Sequence, residues 1–154
     1  MLDFHTALIS FNTWANGKVV ESLRSCPALP EAGVLRLSNI LENNWYVYDI
    51  IFERDLSKWD DDRNYTIEEC IAEIPKIEAA YQELLQSLTE EQLARTVRFK
   101  NVVGDMVERR IGDLIFHTFD HCTYHRGQIA MIVREHGGEP AKTWYNRWIA
   151  ETQA

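Results

Sequence analysis

Apolar residues recur at three- and four-residue steps through most of this chain, and that period commits it to packed helices. Phe4, Leu8, Phe11, Ala15, Val19 and Leu23 form one stripe. The stretch from Ser25 to Pro30 ends it, because neither Pro27 nor Pro30 can continue a helix interior. A second stripe runs Leu37, Leu41, Asn44, Tyr48 and Ile51, with one polar member, Asn44. A third runs Ile67, Ile71, Ile74, Ile77, Tyr81, Leu84 and Leu88, opened by Thr66 and Glu69 at capping-box spacing. Pro75 inside it predicts a kink or a break. Thr89 to Leu93 reads as a capped turn, and a last helix is expected from about Ile111 to Glu135. His136-Gly137-Gly138 with Pro140 behind is its stop signal. Between these helices Val97 and Phe99 alternate with Arg98 and Lys100, and Gly104-Asp105 precedes another short alternation. Residues 95–110 are therefore expected as a β-hairpin or an extended excursion. The expected class is all-α: a single four-helix bundle over residues 1–154, of up-down type, with the excursion before the last long helix.

Length and charge narrow the function classes. With 154 residues a second core has little room, and 45% hydrophobic with 26% charged residues is the balance of a soluble globular domain. Asp and Glu number 24 against 16 Lys and Arg, a formal charge of -8. That balance argues against a nucleic-acid partner, which needs clustered cations to neutralise phosphates. No apolar run nears the roughly 20 residues that span a bilayer, so no membrane partner is expected. The N-terminal stretch has no basic segment of the secretory kind, and the expected compartment is the cytoplasm. The acidity is assigned to solvated helix faces and to the Asp60-Asp61-Asp62 loop. Cys26, Cys70 and Cys122 are odd in number and far apart, and each is read as a small buried hydrophobe.

Chemistry concentrates in one run, HTFDHCTYH, which holds three of the five histidines. His117, His121 and His125 stand at i, i+4 and i+8, stacked along one helix face. Neighbours at i and i+4 can chelate one ion. His117 and His125 lie about 12 Å apart along the axis, too far to share it. The pair is therefore 117/121 or 121/125, with the other ligands coming from another helix or from water. Asp120 and Tyr124 can orient an imidazole or stand in solvent. Asn44 is costly on a core stripe unless its amide is satisfied.

Two stretches resemble the DinB-like family, whose members are also described as metal-dependent hydrolases. They are FNTWAN (Phe11 to Asn16) and HTFDHCTYHRGQIAMIVREHGGEP (His117 to Pro140). The resemblance implies a four-helix bundle, a homodimer, and a divalent transition metal, zinc or nickel, on three histidines from two helices. Two of those positions match His121 and His125. The third falls in an H-x4-D pattern that here reads N-W-Y-V-Y-D, so that Asn44 replaces the histidine and Asp49 matches the acid. An amide oxygen is a harder and weaker ligand than imidazole for these metals. The family's acid four residues past the GGEP proline is here Trp144.

Three readings follow. The resemblance implies a metal-dependent thiol transferase or hydrolase acting on a small-molecule substrate, with His121, His125 and Asn44 as metal residues. In it Arg126 is either set against an anionic group or a surface charge, and Asp49 and Asp120 are candidate bases or plain salt-bridging residues. The alternative is a metal-free small-molecule sensor, or a dimeric stress-related interaction protein, that has lost the site. In that case tryptophans such as Trp14, Trp45, Trp59, Trp144 and Trp148 line a ligand pocket or fill the core. DNA binding, which only the family's name suggests, is disfavoured by the charge.

Overall fold

Proline pairs, capping boxes and a glycine stop divide the chain where the apolar periods change. The computed structural model describes residues 2–59 and 64–152; the acidic triplet Asp60-Asp61-Asp62 lies outside them. In chain order the elements are α1 (Leu2–Arg24), α2 (Glu31–Ile51), α3 (Ile67–Ser87), α4 (Glu90–Ala94), β1 (Thr96–Lys100), β2 (Met106–Arg110), α5 (Ile111–Glu135) and α6 (Tyr145–Thr152). Thr66 and Thr89 each close a full capping box, with Glu69 and Gln92 respectively. The class is all-α with one small antiparallel hairpin, as expected, and β1 pairs β2 from Thr96 opposite Arg110 to Lys100 opposite Met106.

Helices α1, α2, α3 and α5 carry the core. α2 packs along α5 and α3, while α1 packs along α3 and α5. α1 and α2, though joined by only residues 25–30, therefore touch little. Leu23, Leu37, Ile40, Leu41, Ile115 and Val133 are wholly buried between them, each such side chain contributing about 1.5–3 kcal/mol. All three cysteines are buried and unpaired, as expected. Two expected core residues turn outward: Phe4 is 53% exposed while His5 is buried, and Ile71 yields its inward place to Cys70.

Pro75 does not break α3, which runs from Ile67 to Ser87 through it. It sits on the exposed side, where the carbonyl one turn back is free to meet water instead of a missing N–H. Trp148 and Tyr145 bring the tail back onto Phe11, with ring centroids 6.0 and 5.2 Å away.

The end of α5 is stitched to the end of α1. Gly137 takes a left-handed φ of 75°, and the Gly138 N–H donates to the Val133 carbonyl at 2.9 Å. Ser22 Oγ donates to the Glu139 carbonyl (2.7 Å) and accepts from Ala141 N–H (3.0 Å), and Ser25 Oγ accepts from Glu139 N–H (2.9 Å). A Cβ on Gly138 would meet Cys26 Sγ at 2.5 Å, Ser25 Oγ at 2.9 Å and Val133 Cγ1 at 2.9 Å. Gly138→Ala is thus expected to lower unfolding free energy in urea by about 1–3 kcal/mol; a midpoint equal to the parent's would mean that this turn has slack.

Candidate functional site

His121 and His125 stand one turn apart on α5, and their Nε2 atoms converge to 3.1 Å. The Nδ1 of His125 lies 2.8 Å from Gln128 Oε1, an acceptor. Nδ1 therefore carries the hydrogen, and the Nε2 lone pair is left facing His121. The Nδ1 of His121 is buried without a hydrogen-bond partner among the described residues. Burial, and then the nearby His125 and His117, push the His121 imidazole down to about 4 from its ordinary 6.5. Burial also lowers His125. Both rings are neutral at pH 7, the state that offers lone pairs.

The pair opens on a cavity of about 400 Å³. α2 supplies one wall through Asn39, Glu42, Asn43 and Tyr46, residues at three- and four-residue steps. Asn43 Nδ2 is buried there with no hydrogen-bond partner among the described residues. Asn44, about 100° further round the helix, faces the core instead. Its Nδ2 donates to the Ile40 carbonyl and to Cys122 Sγ at 3.4 Å, and its own carbonyl accepts from Tyr81 OH at 2.7 Å. The structure thus brings His121 and His125 together and sets Asn43, not Asn44, in the wall beside them. Among the described residues no three His, Cys, Asp or Glu side chains converge on one point.

Behind the histidines lies a buried polar chain. Asn12 Nδ2 donates to Cys122 Sγ at 3.5 Å, and Asn12 Oδ1 accepts from Arg126 Nη1. The same nitrogen donates to Asn16 Oδ1 at 3.2 Å, and Nη2 donates to Thr123 Oγ1 at 2.9 Å. The guanidinium stacks 5.3 Å over the Phe11 ring. Arg126 is therefore neither the surface charge nor the anion-facing residue that its position after His125 suggested; it is 3% exposed. The readable signal was the i, i+4 pair Asn12 and Asn16 beside the apolar stripe of α1.

Irregular segments complete the cavity. Asp49, itself buried, accepts from Arg54 Nη1 (3.0 Å), Lys58 Nζ (2.9 Å) and Trp59 Nε1 (3.1 Å). Three donors on one carboxylate hold the segment after α2 so that Leu56 and Trp59 reach the cavity wall. That fold-back begins at Glu53, a non-glycine residue with φ 52°. From the hairpin come Lys100 and Val102, and Tyr46 OH donates to the Lys100 carbonyl at 3.5 Å. Asp49 is thus an anchor outside the cavity wall. His117 and Asp120 are exposed on α5, and Trp144 is 66% exposed. Trp59 is among the tryptophans expected to line a pocket or fill the core, and it lines this one; Lys100 is visible in the sequence only as a polar step in the hairpin alternation.

Comparison with known proteins places this geometry in a family. The DinB family profile matches residues 39–153. Protein DinB of Bacillus subtilis is 23% identical, over 99% of this chain and 98% of its own length. The crystal structure of a DinB-like protein from Bacillus cereus superposes with a TM-score of 0.63 at 17% identity, covering 88% of this chain and 92% of the other. That of a DinB-like protein from Bacillus subtilis gives 0.62 at 18% identity, covering 90% and 96%.

The lowered imidazoles have a consequence for stability. The unfolded chain protonates His121 at about 6.5 and the native state only near 4, so acid favours unfolding across that window. The melting temperature is expected to fall between those pH values, and His121→Leu should flatten the fall. Parallel curves for the two proteins would show that His121 carries none of it.

Proposed function

The chain belongs to the DinB family, and from that premise we propose that it is a metal-dependent enzyme, a thiol transferase or hydrolase acting on a small molecule. The observation that carries the reading is the convergence of two neutral imidazoles at the wall of a cavity. Two nitrogens 3.1 Å apart have the separation of two ligands on one ion with bonds of about 2.0–2.1 Å. His121 and His125 would hold a zinc or nickel ion through their Nε2 atoms. Asn43, whose orphaned carboxamide can present its oxygen after a flip, would be the α2 donor in place of Asn44. When bound, such an ion supplies the field that makes a thiol or water nucleophilic near neutral pH.

The chain's own residues do the rest. Gln128 fixes the tautomer of His125, so the lone pair needs no rearrangement. Tyr46 and Trp59 give an aromatic corner, their rings crossed at 83° with centroids 6.0 Å apart. Leu56 and Val102 add apolar surface that thins the water around a ligand. The proposed setting is a cytoplasmic homodimer. Among the described residues no helix is long and apolar enough to cross a membrane.

One observation favours the second reading, a metal-free sensor or stress-related interaction protein: the donor set beyond the two histidines contains only Glu42 and neutral amides. Nickel titration by calorimetry separates the two. About one equivalent per chain is expected, with Gln128→Leu weakening it about 10–100-fold. Asn43→His should tighten binding, whereas Asn44→His should chiefly destabilise the core beside Cys122. No binding by the parent overturns the enzyme reading, and tightening by Asn44→His alone reverses the assignment on α2.

A further inference from the structure

The histidine cavity has a neighbour at the hairpin. A second cavity of about 600 Å³ adjoins it, and Leu56 and Lys100 line both. Its wall carries the charges of Glu53, Arg54, Asp55, Arg98 and Lys100. Their partners sort them. Arg54 is bound to Asp49 at 3.0 Å, Glu53 to Arg95 at 2.9 Å, and Asp55 accepts from the N–H and hydroxyl of Ser57 at 2.9 and 2.8 Å. Arg98 and Lys100, like Asp55, have no ion-pair partner among the described residues. Glu108, directly opposite Arg98 in the register, accepts instead from the Thr96 hydroxyl at 2.6 Å.

Arg98 and Lys100 alternate on β1 and so share one side of the strand. The first cavity's acid, Glu42, comes from α2, and its cation, Lys100, from the hairpin. An anionic group entering this space is attracted to the hairpin wall. We infer that Lys100 and Arg98 form an anion-recognising arm of the histidine cavity, which selects small molecules bearing a carboxylate or phosphate away from the atom presented to His121 and His125. The inference deepens the proposed function and rests on it for the histidine end of the ligand; the anion end stands on the hairpin alone. The arm positions substrate and takes no part in bond-making.

Calorimetric titration of the full chain with succinate, methyl phosphate and the neutral analogue succinamide tests it, at fixed low ionic strength. At least one acid should bind, more tightly than succinamide, and its binding should weaken as salt is raised. Lys100→Gln and Arg98→Gln should each weaken that acid about fivefold, the loss of one charge-assisted contact at a solvated site. Unchanged circular dichroism and melting temperature keep those losses from being folding defects. A preference for succinate or for methyl phosphate identifies the anionic group. Absence of binding by both acids, equal binding of succinamide, or full binding by both variants overturns the proposal. Nickel titration of the same proteins keeps the two readings apart. A parent that takes no nickel yet loses acid binding in Lys100→Gln leaves the arm standing and removes the metal chemistry. A parent that takes nickel but does not discriminate the acids does the reverse.

Discussion

A guanidinium buried without a carboxylate is the constraint around which this bundle is arranged. Burying an ion costs several kcal/mol unless its hydrogen bonds are met; the two terminal nitrogens of Arg126 donate to neutral oxygens of Asn12, Asn16 and Thr123, its plane lies over Phe11, and its Nε has no partner among the described residues. The two asparagines fix the rotation of α1 against α5. Asn12 then passes its amide hydrogens to Cys122, which also accepts from Asn44 of α2, and the Asn44 carbonyl takes the Tyr81 hydroxyl of α3. One polar chain thereby touches all four long helices. Because Cys122 and Arg126 are turned inward, their sequence neighbours His121 and His125 are turned about 100° away, onto the cavity. The core network sets the aim of the site.

The same rotation explains what could be read in advance. A period of 3.6 places residues around a helix, so the stripes, the extent of α5 from Ile111 to Glu135, and the stacking of His121 with a neighbouring histidine were legible, while the choice of His125 over His117 came from the family resemblance. Caps were legible because Thr66 and Thr89 each satisfy a local rule that needs no tertiary partner. Asn43 and Asn44 were not separable by that means. They are adjacent, chemically identical and differ only by one step of rotation, and the family pattern singles out Asn44. Only the packing of α2 on α5 decides that Asn44 meets Cys122 while Asn43 lines the cavity. Arg126 was misread for a related reason: polar side chains default to the surface unless a partner is visible, and its two asparagine partners lie more than a hundred residues earlier on α1.

The walls contributed by irregular chain carry no period at all. Leu56 and Trp59 reach the cavity because Asp49 gathers Arg54, Lys58 and Trp59, a set of contacts spread over residues 49–59 in which no spacing rule operates. Asp49 matches an acid of the family pattern and so drew attention as a base. Its carboxylate instead holds the fold of the segment, and its chemistry is spent on three donors. Of the two tasks the sequence offered Asp49, base or plain salt-bridging, the ion pairs with Arg54 and Lys58 match the second.

Net charge makes the same point about scale. A formal -8 describes the field far from the molecule, but at physiological salt interactions fade over roughly 8 Å. At the hairpin the balance is local: Glu53 is matched by Arg95, Glu108 keeps its charge while it accepts from Thr96, Asp55 is held by neutral Ser57, and Arg98 and Lys100 stand without ion pairs among the described residues. An acidic protein can therefore present a cationic wall to a small ligand while repelling a polyanion, whose many phosphates sample the whole surface. Exclusion of nucleic acid and attraction of a small acid are compatible because they are decided at different distances.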